Sequence, residues 1–101
     1  MTSHPPLPVA FVDDDAHLRE ANAQTLKLAG FEPFLFESAV EALKAIDEHF
    51  PGVVITDLRM PRIDGMALFR TLRDRDPDLP VIMITGHGDI ATAVEAMREG
   101  A

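Results

Sequence analysis

The sequence has no cysteine, few basic residues and no long apolar run. Disulfide bonds and thiol chemistry are therefore excluded. No apolar stretch approaches the ~20 residues of a membrane-spanning helix, and residues 1–8 lack the charged and apolar regions of a signal peptide. Nine basic residues against seventeen acidic ones give a net charge of −8, which disfavours direct nucleic-acid binding and suits cations or basic partners. We therefore expect a cytoplasmic protein that binds neither membrane nor nucleic acid.

The 101 residues are 47% apolar, which predicts one folded domain rather than a disordered chain. We expect residues 1–7 to be a flexible lead-in and residues 8–101 to form the domain. Four short apolar runs alternate with four helical patterns, and this order predicts an α/β fold with a doubly wound parallel sheet. The predicted strands are residues 8–12, 31–36, 53–56 and 81–84, and Pro33 places the second one at a sheet edge.

Capping residues mark the predicted helices. Asp15 is placed to cap the first helix, which runs to about Ala29 and ends at Gly30. Ser38 has the capping-box spacing to Glu41, and the third helix opens at Asp64-Gly65. Asp89 is placed to cap the last helix. The expected buried positions of the first helix are Leu18, Ala21, Thr25, Leu26 and Ala29.

Polar side chains follow three of the four predicted strands. Asp13 and Asp14 follow the first strand, Asp57 follows the third, and Thr85 follows the fourth. Neighbouring parallel strands would bring these groups to one edge, where open α/β sheets bind ligands. Carboxylates crowded at such an edge repel one another unless a cation is present, and oxygen ligands select a hard cation such as Mg²⁺. An aspartate at a metal site can also act as the nucleophile in phosphoryl transfer.

Three stretches of the sequence carry a resemblance to a known family: VDDD at 12–15, DLRMP at 57–61 with DG at 64–65, and ITGHG at 84–88. In this combination, residues 8–101 resemble the receiver domain of two-component response regulators. Among receivers, the sequence looks most like those of dicarboxylate-transport regulators, which activate sigma-54 polymerase, and receivers of nitrogen-fixation regulators are nearly as close. The resemblance implies the flavodoxin-like receiver fold.

The resemblance implies a role for each matching residue. Asp57 corresponds to the phosphoacceptor, which takes a phosphoryl group from a sensor histidine kinase. Asp14 corresponds to the direct Mg²⁺ ligand, Asp13 to a ligand acting largely through water, and Arg59 to the residue whose backbone carbonyl binds the metal. Thr85 corresponds to the switch hydroxyl. A downstream transcriptional output domain, either a sigma-54-activator ATPase or a DNA-binding domain, is the implied second partner.

Receivers continue into a fifth strand that ends in Lys-Pro and then a fifth helix, and this sequence stops before them. Its two lysines, Lys27 and Lys44, lie in predicted helices. We therefore expect residues 81–84 to form an apolar sheet edge and the chain to self-associate. Any enzymatic activity should be limited to self-phosphorylation and autodephosphorylation.

Two alternatives remain open at this level. One is a Mg²⁺-dependent aspartyl phosphatase or phosphotransferase, although such enzymes usually carry a second aspartate soon after the nucleophile, where this chain has Arg59. The other is an interaction module that works without phosphorylation. The absent lysine favours that module, whereas the set Asp13, Asp14, Asp57 and Thr85 disfavours it.

Overall fold

The computed structural model describes residues 6–47, 49–58, 64–84 and 89–99, and it has the predicted alternation of strands and helices. The elements are β1 (Pro8–Val12), α1 (Ala16–Leu28), β2 (Glu32–Phe36), α2 (Ala39–Ala45), β3 (Val53–Asp57), α3 (Gly65–Arg75), β4 (Val81–Ile84) and α4 (Asp89–Arg98). None of these helices has the length and apolar character needed to cross a membrane.

The four strands form one parallel sheet in the order β2-β1-β3-β4. Val12 of β1 is paired with Thr56 of β3, so the next residues, Asp13 and Asp57, lie side by side at this end of the two strands. β2 lies on one side of β1 and β3 on the other, and all neighbouring strands are parallel, which confirms the predicted doubly wound sheet. This order also explains the position of the site, because β1 and β3 are adjacent in space and separated in sequence.

β2 lies at one edge of the sheet, as Pro33 predicts. The Glu32 N–H donates to the carbonyl of Leu7, and the Phe36 carbonyl accepts from the Asp13 N–H. Alternate residues of a strand turn their backbone groups to the same side, so Pro33 faces away from β1. The residue without an N–H therefore costs the sheet no hydrogen bond.

Two apolar cores cover the two faces of the sheet. Val9 and Phe11 of β1 belong to the core that contains buried residues of α1 and α4. Ala10 and Val12 point to the opposite core, which contains residues of α2 and α3. All four side chains are fully buried, so β1 lies in the interior on both faces, as its unbroken apolar sequence predicts.

Three predicted helix caps are confirmed. The Asp15 carboxylate accepts from the N–H groups of His17 and Leu18, and Gly30 has the left-handed φ of 95° that ends α1. The Ser38 hydroxyl accepts from the Glu41 N–H, and the Asp64 carboxylate accepts from the Ala67 N–H. The predicted capping by the Asp89 side chain lies outside what the structure describes.

The buried face of α1 differs from the predicted one. Asn22, Ala23 and Leu26 are buried, whereas Ala21 and Thr25 are exposed. Only Leu26 of the predicted stripe is fully buried, and Leu18 and Ala29 are half-buried. The apolar pattern predicts the wrong face because the buried face includes Asn22, which is polar. Alanine and threonine, in turn, are small enough to lie on the buried or the exposed side of a helix. The buried residues of α4, by contrast, follow the helical spacing of its apolar residues: Ile90, Ala93, Val94 and Met97.

Candidate phosphoacceptor and metal site

Three carboxylates meet at the carboxyl edge of the sheet. Asp13 and Asp14 follow β1, Asp57 ends β3, and one carboxylate oxygen from each lies within 4.8 Å of the others. Asp13 is buried, Asp57 is half-buried and Asp14 is exposed. The sequence-based expectation that these residues come together is therefore confirmed. The three carboxylates therefore extend from the protein interior to the solvent-exposed surface.

The backbone of Asp13 is held on both sides. Its N–H donates to the Phe36 carbonyl of β2 at 3.1 Å, and its carbonyl accepts from Nη1 of Arg19 in α1 at 2.9 Å. Its carboxylate accepts from the Asp15 N–H at 3.0 Å. Asp13, the most buried residue of the group, is thus held through its backbone by β2 and by α1.

Asp57 is held by the sheet and by the start of α3. Asp57 is paired with Ile84 of β4, and the next N–H, that of Leu58, donates to the Ile84 carbonyl at 2.9 Å. The Gly65 N–H then donates to the Leu58 carbonyl at 3.0 Å. These bonds bring the first turn of α3 against the backbone of the predicted phosphoacceptor.

Gly65 makes this close approach possible. A Cβ at this position would lie 2.4 Å from the Asp57 carbonyl oxygen and 2.8 Å from the Leu58 Cα. Backbone atoms cannot move aside as a flexible side chain can, so only glycine allows α3 to begin here. The sequence places this glycine at the helix start, but its packing against Asp57 requires the tertiary structure.

Burial, together with neighbouring negative charge, favours the protonated form of Asp13 by raising its pKa. Burial raises its pKa above the ordinary value of 3.8, and the hydrogen bond from the Asp15 N–H partly opposes this effect. The charges of Asp57, Asp14 and Asp15 raise the pKa further. The ionised group is therefore disfavoured in the protein alone, and a bound cation would offset that cost.

The donor set fits a hard divalent cation. All three side chains offer oxygen, and one is exposed, so a metal bound here can keep some of its water ligands, as Mg²⁺ usually does. Calcium usually takes more oxygen ligands than Mg²⁺, so it would depend more on ligands beyond these three carboxylates. The chemistry of the group therefore agrees with the predicted magnesium site.

Two predicted site residues lie outside the described part of the chain. These are Arg59, expected to contribute its backbone carbonyl, and Thr85, expected to contribute its hydroxyl. Their placement near the carboxylates stays a prediction, and so do the individual metal-binding roles of Asp13 and Asp14. Arg19 was not among the predicted site residues. The sequence feature that could have indicated Arg19 is its position: it lies four residues after Asp15, and residues 1–26 contain no other lysine or arginine.

Comparisons with known proteins agree on one family. The family described as "Response regulator receiver domain" matches residues 9–101. The C4-dicarboxylate transport transcriptional regulatory protein DctD of Rhizobium meliloti is 55% identical over 93 residues, which is 92% of this chain and 20% of that protein. The DNA-binding transcriptional regulator NtrC of Escherichia coli is 41% identical over 90 residues, or 89% of this chain and 19% of that protein.

The fold matches solved structures of the same family. A response regulator receiver domain protein from Clostridium thermocellum superimposes with a TM-score of 0.76 at 33% identity, over 94% of this chain and 77% of that one. The chain spans about a fifth of the length of the two regulators DctD and NtrC. Since sequence, fold and the convergent carboxylates all agree, the chain belongs to the response regulator receiver domain family.

Proposed function

We propose that Asp57 is the phosphoacceptor of this receiver domain and that Asp13 and Asp14 bind the Mg²⁺ that phosphorylation requires. The observation that supports this assignment is the approach of the three carboxylates to within 4.8 Å of one another at the end of β1 and β3. A structural role for three acidic groups this close is hard to find, because their mutual repulsion destabilises the metal-free fold.

The reaction follows from the position of Asp57. An oxygen of its carboxylate attacks the phosphorus of a phosphohistidine, the new O–P bond gives an acyl phosphate, and the P–N bond breaks as the imidazole leaves. The chain holds the nucleophile rigidly through the pairing of Asp57 with Ile84 and through the contact with Gly65. A bound Mg²⁺ would neutralise the negative charge that collects on the phosphoryl oxygens. The backbone carbonyl of Arg59 and the hydroxyl of Thr85 complete the proposed site.

The relatives suggest the partners. Several are transcriptional regulators by name, and this chain matches only a fifth of the two described above. We infer that a sensor histidine kinase donates the phosphoryl group and that an output domain, outside the matched part, acts in transcription. An ATPase that activates sigma-54 polymerase is the output that the similarity to the dicarboxylate-transport regulator favours. A cytoplasmic location fits both partners.

Phosphorylation by a small donor tests the assignment. The 101-residue chain is incubated with acetyl phosphate and Mg²⁺, and intact mass spectrometry measures the addition of a single phosphoryl group. We expect addition to the wild type and none to Asp57→Asn. Asp74→Asn is the matched control, since Asp74 is an exposed carboxylate of α3 away from the sheet edge. Equal labelling of Asp57→Asn and the wild type would contradict the proposal.

A further inference from the structure

Arg19 makes a contact that no part of the proposed function uses. It is the fourth residue of α1, and its guanidinium reaches back past the helix start to donate a 2.9 Å hydrogen bond to the Asp13 carbonyl. Asp13 lies just beyond the last residue of β1, where its N–H still donates to the Phe36 carbonyl of β2 but the Asp13 carbonyl accepts from Arg19. The guanidinium of the half-buried Arg19 therefore holds the chain by a charge-assisted hydrogen bond at the point where it turns from the sheet into the helix.

The position of this charge is unfavourable for the helix itself. The start of a helix carries a partial positive charge, and a cation near it is disfavoured. Arg19 is also the only lysine or arginine among residues 1–26. The hydrogen bond to the Asp13 carbonyl gives a reason for a cation at this position, whereas helix formation gives none.

We propose that Arg19 is a positioning residue for the acidic site: by holding the Asp13 carbonyl, it sets the direction of the Asp13 carboxylate and so the affinity for the cation. This inference rests on the cation binding that the proposed function includes. Two effects of the guanidinium oppose each other. Its charge alone repels Mg²⁺, whereas its hydrogen bond orders one of the ligands that Mg²⁺ needs. The second effect dominates, because the hydrogen bond is direct while a partly exposed charge is screened by salt.

The sign of the change in Mg²⁺ affinity tests the proposal. Amide NMR shifts are followed during titration with Mg²⁺ at physiological salt, since the chain has neither tryptophan nor tyrosine to report binding by fluorescence. We expect Arg19→Ala to weaken Mg²⁺ binding about tenfold, the size of effect that supporting partners of metal ligands have. Lys27→Ala is the control, because it removes a positive charge from an exposed position of the same helix and should leave the affinity unchanged.

Arg19→Lys separates position from charge and also serves if the alanine variant does not fold. Lysine keeps the charge and loses the planar guanidinium geometry, so we expect weaker Mg²⁺ binding than in the wild type. Wild-type or tighter binding by both variants would overturn the role of Arg19. Absence of Mg²⁺ binding by the wild type would instead overturn the metal site of the proposed function, so the two failures are distinguishable.

Discussion

At the scale of single residues, Asp13 combines requirements that conflict in the metal-free protein. It is 2% exposed, it belongs to a group of three carboxylates, and its own backbone and side chain are all hydrogen-bonded. The structure therefore fixes a negative charge where burial and neighbouring charges disfavour it. Such an arrangement reduces stability in exchange for a prepared binding site, which is common where function rather than folding selects the residue.

The pH dependence of stability should reveal this conflict. In the unfolded chain Asp13 ionises near 3.8, and burial with the charges of Asp57, Asp14 and Asp15 raises its pKa in the folded state. As pH rises through this interval the unfolded chain loses the proton first, so the stabilising contribution falls and is lost once the folded group ionises. We expect Asp13→Asn in metal-free buffer to melt a few degrees higher than the wild type at pH 7.

The difference in melting temperature between Asp13→Asn and the wild type should grow from about pH 4 upward and then level off. Asparagine can still accept the hydrogen bond from the Asp15 N–H, so the comparison isolates charge. Asp74→Asn, at an exposed site, should show no such trend. A lower melting temperature for Asp13→Asn at pH 7 would show that the carboxylate is stabilising as it stands.

Gly65 should be required for the shape of the site as well as for stability. We expect Gly65→Ala to lower the free energy of unfolding by about 1–3 kcal/mol, because its Cβ would meet the Asp57 carbonyl oxygen. Gly52→Ala is a matched control, since its Cβ would clash with the Pro8 carbonyl instead. Urea denaturation should show a loss for both variants, but only Gly65→Ala should slow phosphorylation by acetyl phosphate. Equal labelling rates for the two variants would argue against a role of Gly65 at Asp57.

At the scale of secondary-structure elements, the sequence predicts what local chemistry determines. The caps at Asp15, Ser38 and Asp64 satisfy helix N–H groups within a few residues, so spacing alone identifies them. The convergence of Asp13 and Asp57 was also predictable, because apolar strands that end in carboxylates have few other arrangements. The face of α1, the packing of Gly65 and the reach of Arg19 depend on contacts between distant segments, which an apolar pattern does not encode.

The junction of α2 and α3 is a second contact that the sequence could not predict. Arg75, the last residue of α3, donates from Nη1 to the carbonyls of Leu43 at 2.8 Å and Ile46 at 3.1 Å. These carbonyls lie at the end of α2, where the helix itself provides no donors. One guanidinium thus caps a neighbouring helix and complements the negative end of its dipole.

Removal of Arg75 should loosen the end of α2. We expect Arg75→Ala to lower the free energy of unfolding by about 1 kcal/mol, since the contact is charge-assisted but lies near the surface. Melting temperature should fall by about 4–8 °C in a domain of this size. Arg70→Ala, exposed in the same helix, is the control. Amide exchange should accelerate in α2 in the first variant alone, and unchanged exchange there would show that the cap contributes nothing.

At the scale of the whole molecule, the site lies where the two cores meet the end of the sheet. β1 contributes Val9 and Phe11 to one core and Ala10 and Val12 to the other, and Asp13 follows directly. Asp13 and Asp14 therefore follow one deeply buried strand, β1, and Asp57 ends another, β3. Because the strand before Asp13 packs in both cores, we expect a change in charge at this site to alter the stability of the entire domain rather than that of one loop.

Magnesium should therefore stabilise the folded chain globally. A ligand that binds only the folded state raises the free energy of unfolding by RT ln(1 + [L]/Kd), or about 2.7 kcal/mol at a hundred times Kd. We expect the melting temperature of the wild type to rise steadily with Mg²⁺, because the cation offsets the repulsion among Asp13, Asp14 and Asp57. Asp14→Ala should abolish most of the rise, whereas Asp74→Ala, at an exposed site on α3, should retain it. Differential scanning calorimetry at constant ionic strength measures the effect. A response in Asp14→Ala as large as in the wild type would place the bound metal away from these carboxylates.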